Sequence, residues 1–379
     1  MGSFIMKKYI LVVLLLSTSL WAAEKRARNV ILFIGDAGGL PVISTAAAYK
    51  GKPQSLFIQQ MPHIGLSDTS SAKAWVTDSA AGMTAIVTGH KTHNGVISQS
   101  DSAERGKKDG ELLKTILEYA EEHGLSTGVI TNDVVTGATA AACYSHSNDR
   151  RKSGEIFAQL LKPRYGDGVD ILIGAAGKVL ADASTAAGSD IEAGLRGKGY
   201  AILKSLDEFK PTSGRAIVLL GSNEFDLEAA VRRAIEILSR NRKGFFLMVE
   251  SDLHTDKLKQ GLDRTLLLDR IIEQTAHTAK RDTMVIFTAD HSFDTRLRGG
   301  NKGEALLPSD IAGAKTTSPA KPLIRVDGGH TGEEVLVAAQ GPGAERVKGF
   351  FPNTQLFQIM LAAYGWKESQ PTGRAATTR

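Results

Sequence analysis

Gly244-Phe-Phe-Leu-Met-Val249 runs directly into Glu250-Ser-Asp-Leu-His-Thr-Asp256. The first part is apolar on both faces and too short for an ordinary helix, so it reads as a strand buried from two sides. Carboxylates and an imidazole begin where that strand stops. The pattern recurs: Asn29-Val-Ile-Leu-Phe-Ile34 is followed by Gly35-Asp36, and Thr283-Met-Val-Ile-Phe-Thr288 by Ala289-Asp290-His291. Further apolar runs at Ser126–Thr131, Ile171–Ile173 and Glu334–Ala339 alternate with helical patterns over Gly110–His123, Leu227–Arg240 and Leu262–Lys280. Two-sided apolar strands alternating with helices predict an α/β fold, a three-layer sandwich whose central, mainly parallel sheet is flanked by helices.

Such sheets bind ligands beyond the carboxyl ends of their strands. That rule puts Asp36, Glu250, Asp252, His254, Asp256, Asp290 and His291 along one rim. So many charges repel one another or lose their solvation unless cations neutralise them. Cys143 is the only cysteine, which excludes an intrachain disulfide and a thiolate cluster. The remaining oxygen and imidazole donors suit zinc, or zinc beside magnesium. His330, in the glycine-flexed segment Asp327-Gly-Gly-His-Thr-Gly-Glu-Glu334 just before an apolar strand, is placed to complete a zinc shell.

In Trp75-Val-Thr-Asp-Ser-Ala-Ala-Gly-Met-Thr-Ala85, Asp78 and Ser79 stand side by side before an Ala/Gly-rich helical run. Small residues at 80–82 allow close packing, and the first helical turn favours an anion beside Ser79. The segment 134–151 follows another strand and supplies hydroxyls and then Arg150, whose guanidinium can grip two phosphate oxygens at once. His63, His90, His93, His123 and His277 read as surface or packing residues, and His146 as a residue behind the site rather than a ligand.

Residues 1–22 combine Lys7-Lys8, a short apolar run and small residues at Ala22-Ala23, the pattern of a secretory signal, with 1–5 as a leader. Export to the periplasm or medium follows, with no membrane attachment after cleavage. Removing that segment takes away two lysines and no acid, leaving a mildly basic chain from the full formal charge of +5. No Lys/Arg run exceeds two residues, so nothing indicates nucleic-acid binding. Without an internal repeat or a convincing linker, 23–367 reads as one domain, and the polar stretch 368–379 as a frayed tail.

These motifs, in this order, resemble those of the alkaline phosphatase family: Val76–Ala85 its nucleophile signature, Thr288-Ala-Asp-His-Ser292 its strand-end zinc pair, and Gly329-His-Thr-Gly-Glu333 its last zinc histidine. The resemblance implies a phosphate monoester hydrolase in which Ser79 is phosphorylated and Arg150 binds phosphate. It further implies that Asp36, Asp78, Asp290 and His291 hold one zinc and a neighbouring magnesium, that His330 helps hold a second zinc, and that Thr139 is a magnesium ligand. Two departures stand out. Gly137 replaces the Asp or His that relatives carry two residues before that threonine, which implies a weaker or altered third site. The stretch 250–256 is also shorter than usual; aligned on His254, it assigns Asp252 to zinc and Glu250 to magnesium, with Asp256 in reserve. The implied substrates are small phosphate monoesters, and the implied assembly a monomer or homodimer. A phosphodiesterase on the same scaffold and an inactive phosphate- or metal-binding protein are the alternatives.

Overall fold

The computed structural model describes residues 26–307 and 323–368 of the chain. The signal segment, its leader and all but the first residue of the tail lie outside the described residues. The strands are β1 (Asn29–Asp36), β2 (His63–Asp68), β3 (Ser126–Val134), β4 (Ile171–Ala175), β5 (Ala201–Leu203), β6 (Ala216–Leu220), β7 (Phe245–Asp252), β8 (Thr283–Thr288), β9 (Ser292–Leu297), β10 (Ile324–Thr331), β11 (Val335–Gln340) and β12 (Gly349–Pro352). Ten of them form one sheet in the order β12-β2-β11-β8-β1-β7-β3-β4-β6-β5. Only β11 runs antiparallel to its neighbours β2 and β8 in this sheet.

Alternation along the strands divides the core into two layers. Val30, Leu32 and Ile34 of β1 pack on one face with Met83, Ile86, Leu117, Ala140 and Phe357. Ile31 and Phe33 pack on the other with Val42, Val231 and Leu262. Each large side chain removed from water in this way contributes roughly 1.5–3 kcal/mol. Helices therefore cover both faces: Ser79–Thr88, Ile116–Glu122, Ala138–Tyr144 and Thr354–Tyr364 on the first, Leu40–Tyr49, Leu227–Leu238 and Leu258–Thr278 on the second.

The expected strands are all present, but the segment 334–339 forms the antiparallel β11, and β2, β5, β6, β12 and the β9–β10 ribbon are additions. The helix expected over 110–123 is confined to Ile116–Glu122. Thr115 starts it with a reciprocal cap, its Oγ1 accepting from the Glu118 N–H at 3.1 Å while Glu118 Oε2 accepts from the Thr115 N–H at 3.0 Å. Before that cap, Leu112 is bridged to Gln99, which holds the chain extended.

β1 lies between β7 and β8, with Asp36 level with Asp252 and Ile34 level with both Glu250 and Thr288. Parallel register thus brings the acidic ends of three strands together. The helix Ser79–Thr88 reaches this edge through Gly82, where a Cβ would stand 2.5 Å from the Asp290 carbonyl oxygen. Backbone meets backbone there, so a methyl group has to push the helix outward. Gly82→Ala should cost about 1–3 kcal/mol of stability. Thermal unfolding would check this, and an unchanged midpoint would show that the close approach is dispensable.

Candidate active site

Ser79 is the first residue of its helix, and Asp78 is the N-cap, with Asp78 Oδ1 accepting from the Ala81 N–H at 3.1 Å. Asp78 Oδ2 accepts from Arg150 Nη1 at 3.1 Å. Both oxygens of Asp78 are thus held by N–H donors. The structure has Asp78 steady the helix start and Arg150, and does not bring it into a group of converging ligand atoms among the described residues.

Ser79 Oγ lies 3.3 Å from His291 Nε2. The same nitrogen is 3.2 Å from Asp36 Oδ1 and 3.6 Å from Asp290 Oδ2. Asp36, Asp290 and His291 therefore form one group with converging ligand atoms, and His254, His291 and His330 form a second that shares His291. His291 and His330 stack with their ring centres 3.6 Å apart. His291 Nδ1 is held by the Ser292 carbonyl at 3.2 Å and His330 Nδ1 by the Thr77 carbonyl at 3.0 Å. Holding Nδ1 in this way leaves Nε2 of each ring for a cation.

Local geometry explains how these side chains meet. His291 leads straight into β9, which pairs antiparallel with β10 and sets His330 opposite Phe293. A register shift between Val326 and His330 makes this possible, with Gly328 and Gly329 at φ 74° and 143°, the region where a side chain would be strained. At the end of β1, Ala37 adopts φ 66° and turns its N–H onto Asp290 Oδ1 at 3.3 Å. A non-glycine residue in that conformation costs on the order of 1–3 kcal/mol, a strain concentrated at functional sites.

Burial sets the electrostatics. Asp290 and His291 are fully buried, and Glu250 is 1% exposed. Burial raises Asp290 to about 6, helped by the charge of Asp36. Burial also pushes Glu250 well above the usual carboxylate range, with Asp36 and Asp133 adding to it. For Asp36 burial is outweighed by the imidazoles of His291, His254 and His330, which hold it down at about 2. Burial likewise opposes charge on His291, yet Asp290 and Asp36 carry it up to about 9. The edge of the sheet is therefore a place where positive charge is stabilised. Asp36 Oδ1 and Glu250 Oε2 are buried without an aligned hydrogen-bond donor among the described residues, as metal ligands require. The donor set fits metal ions.

Asp252 keeps Oδ1 toward His254, 2.8 Å from Nδ1, while Oδ2 accepts from Arg264 Nη1 at 2.7 Å. Thr139 Oγ1 donates to Asp290 Oδ2 at 3.5 Å. Asp256 is exposed and outside both ligand groups, so the reserve ligand is not brought in. His146 bonds the Leu113 carbonyl at 2.8 Å and lies against Arg164 and Glu118, not behind the site as expected. Asn132 and Arg264 went unrecognised in the sequence: Asn132 Oδ1 accepts from the Asp252 N–H at 2.7 Å, and Arg264 is buried.

Fold and site together define a metal-dependent hydrolase with a serine at a helix N-terminus facing a cation-binding rim. The family model described as alkaline phosphatase matches residues 27–205 and 221–323, and the chain belongs to that family. The streptomycin-6-phosphate phosphatase of Streptomyces griseus is 29% identical over 413 residues, covering 89% of this chain and 91% of that protein. The alkaline phosphatase of Escherichia coli K12 is 29% identical over 433 residues, covering 91% and 88%. The solved alkaline phosphatase of the Antarctic bacterium TAB5 superimposes with a TM-score of 0.74 at 28% identity, covering 91% of this chain and all of that one. The chain is accordingly a phosphate monoester hydrolase of a metal-dependent family.

Asp78→Ala separates positioning from ligation. It should weaken inorganic phosphate binding by releasing Arg150 and cost about 1 kcal/mol of stability as a lost cap, with metal content unchanged. Metal analysis showing a lost ion would restore Asp78 to the ligand shell.

Proposed function

We propose that Ser79 is the nucleophile and Arg150 the phosphate anchor of this phosphatase, and that the rim holds two zinc ions and one magnesium ion. The observation that carries the reading is the Ser79 hydroxyl at a helix start, 3.3 Å from His291 Nε2 in the group formed with Asp36 and Asp290. Asp36, Asp290 and His291 hold one zinc; His254, His330 and Asp252 hold the second; Glu250 and Thr139, with Asp36, hold magnesium. Zinc bound there supplies Lewis acidity, lowering the pKa of a hydroxyl or water and stabilising a departing alkoxide.

The protein's own groups do the rest. Asp78 takes the Ala81 N–H with its side chain and the Gly82 N–H with its carbonyl, which leaves the first N–H groups of the helix for phosphate oxygens. Arg150 is tied to Asp78 through one nitrogen, and the remainder of its fork is available to the same phosphate. Ser79 Oγ attacks phosphorus and gives up its proton, the ester P–O bond breaks, and the leaving oxygen takes up a proton so that the alcohol departs. Water then cleaves the phosphoserine, returning the hydroxyl and releasing inorganic phosphate. Catalysis is mostly the balancing of charge on the transferred group, so little contact with the alcohol is needed and a broad range of monoesters follows.

Export rests on Lys7-Lys8 and the apolar run after them. Among the described residues no helix is long and apolar enough to cross a membrane.

Ser79→Ala should abolish phosphoenzyme formation and reduce p-nitrophenyl phosphate turnover by a factor on the order of a thousand or more, with metal content retained. Denaturing gels after incubation with a labelled phosphate donor would check it; labelling of the alanine variant would overturn the assignment. Chelation should remove activity, and zinc add-back should restore it.

A further inference from the structure

Residues 76–79, which deliver the serine, are held by ties from distant parts of the chain. The Thr77 carbonyl meets His330 Nδ1 at 3.0 Å, and the Asp78 carboxylate accepts from Arg150 Nη1 at 3.1 Å. A further tie is Asn94, whose Nδ2 donates to the Val76 carbonyl at 3.1 Å. The next residue reaches the other half of the site, because the Gly95 carbonyl accepts from the Arg150 N–H at 2.8 Å. These links close a ring: Val76 to Asp78 along the chain, Asp78 to the Arg150 guanidinium, the Arg150 N–H to Gly95, and Asn94 back to Val76. Gly95 adopts φ 84°, and the Arg105 guanidinium fills the place where a side chain would begin. Arg105 Nε in turn donates to Asp149, the residue before Arg150, at 3.2 Å, so this corner of the ring is braced. At the neighbouring corner Asn94 Oδ1 is buried without a donor among the described residues. An orphaned acceptor costs free energy, and the amide offsets that cost only through what its N–H group holds.

We propose that Asn94 is a positioning residue for phosphoryl transfer: through Val76 and Gly95 it fixes the spacing between the Ser79 hydroxyl and the Arg150 guanidinium. The role presupposes Ser79 as the nucleophile and Arg150 as the phosphate anchor. One phosphate must be gripped by Arg150 while Ser79 Oγ lies in line with its ester bond, and a misplacement of about 1 Å lowers turnover on the order of a hundredfold. The Asp78–Arg150 ion pair does not set that spacing by itself, because both of its charged groups sit on rotatable side chains. The path through Asn94 and Gly95 is stiffer, being one short side chain at Asn94 and main chain from Gly95 to Arg150. Asn94 thus acts on the reaction through the two groups it joins, and its effect exists only while both are present.

The test is a double-mutant cycle on the metal-loaded full protein, read as kcat/KM for p-nitrophenyl phosphate, with elemental analysis of every variant. Asn94→Ala should lower kcat/KM about tenfold with metal content unchanged. In an Arg150→Ala background the same change should cost less than about twofold, because no anchor is left to align with Ser79. Asn94→Asp keeps the side chain's shape and removes the donor, so it should match Asn94→Ala. Equal losses in the two backgrounds would overturn the proposal and leave the phosphatase reading intact, since a residue that only stabilises the loop acts whether or not Arg150 is present. Parental activity in Asn94→Asp would overturn it as well. An Arg150→Ala protein with parental activity would instead overturn the reading of Arg150, and the proposal with it.

Discussion

Three parallel strands end in acid, and their register forces Asp36, Glu250 and Asp290 into one poorly solvated place. An unpaired carboxylate moved from water into such an interior costs several kcal/mol even after relaxation. The apolar sequences of β1, β7 and β8 dictate that they pack side by side, so the charges cannot separate without unpacking the centre of the sheet. His254, His291 and His330 meet part of the demand, and the charge placed on His291 by Asp290 and Asp36 shows how strong the field is. Metal ions answer the same demand. Stability of this edge and metal affinity are therefore two expressions of one equilibrium.

Ser79 arrives on a different element. The ends of β1, β7 and β8 already carry Asp36, Glu250 and, just beyond β8, Asp290. Ser79 instead comes on a helix that touches the edge through glycine, with Ser79 itself at the polar start of the helix. From the far side comes the β9–β10 ribbon, whose glycine bulge sets His330 against His291. Each component is positioned by backbone contacts, so the geometry does not depend on long flexible side chains.

The central strands and their acidic ends were legible because a two-sided apolar run ending in Asp or His is a local signal. Strand direction is not local: nothing within Val335–Gln340 says that it runs against β8, since direction is set by the path of the chain through the ribbon before it. The helix expected from 110 onward failed for a similar reason, the bridge from Leu112 to Gln99 overriding a periodic pattern. The link from Asp78 to Arg150 could not be read in advance, because adjacency to Ser79 does not reveal which donors the Asp78 oxygens meet. Arg264 was invisible because it acts through Asp252. Side chains at strand ends could be named from the sequence, while those that work through a partner could not.

The pairing of Asp78 with Arg150 has an electrostatic reason beyond capping. A guanidinium near a rim of buried carboxylates is drawn into it, and an arginine lying on Asp36 or Asp290 would neutralise them and take the place of a metal ion. Asp78 prevents this by offering a carboxylate at the helix start, farther toward solvent than the buried cluster, with Arg150 held 3.1 Å away and still about one-third exposed. Because the ion pair uses one nitrogen, it restrains the arginine without consuming its whole fork. The guanidinium of Arg150 is thus kept on Asp78 and off the buried carboxylates of the rim.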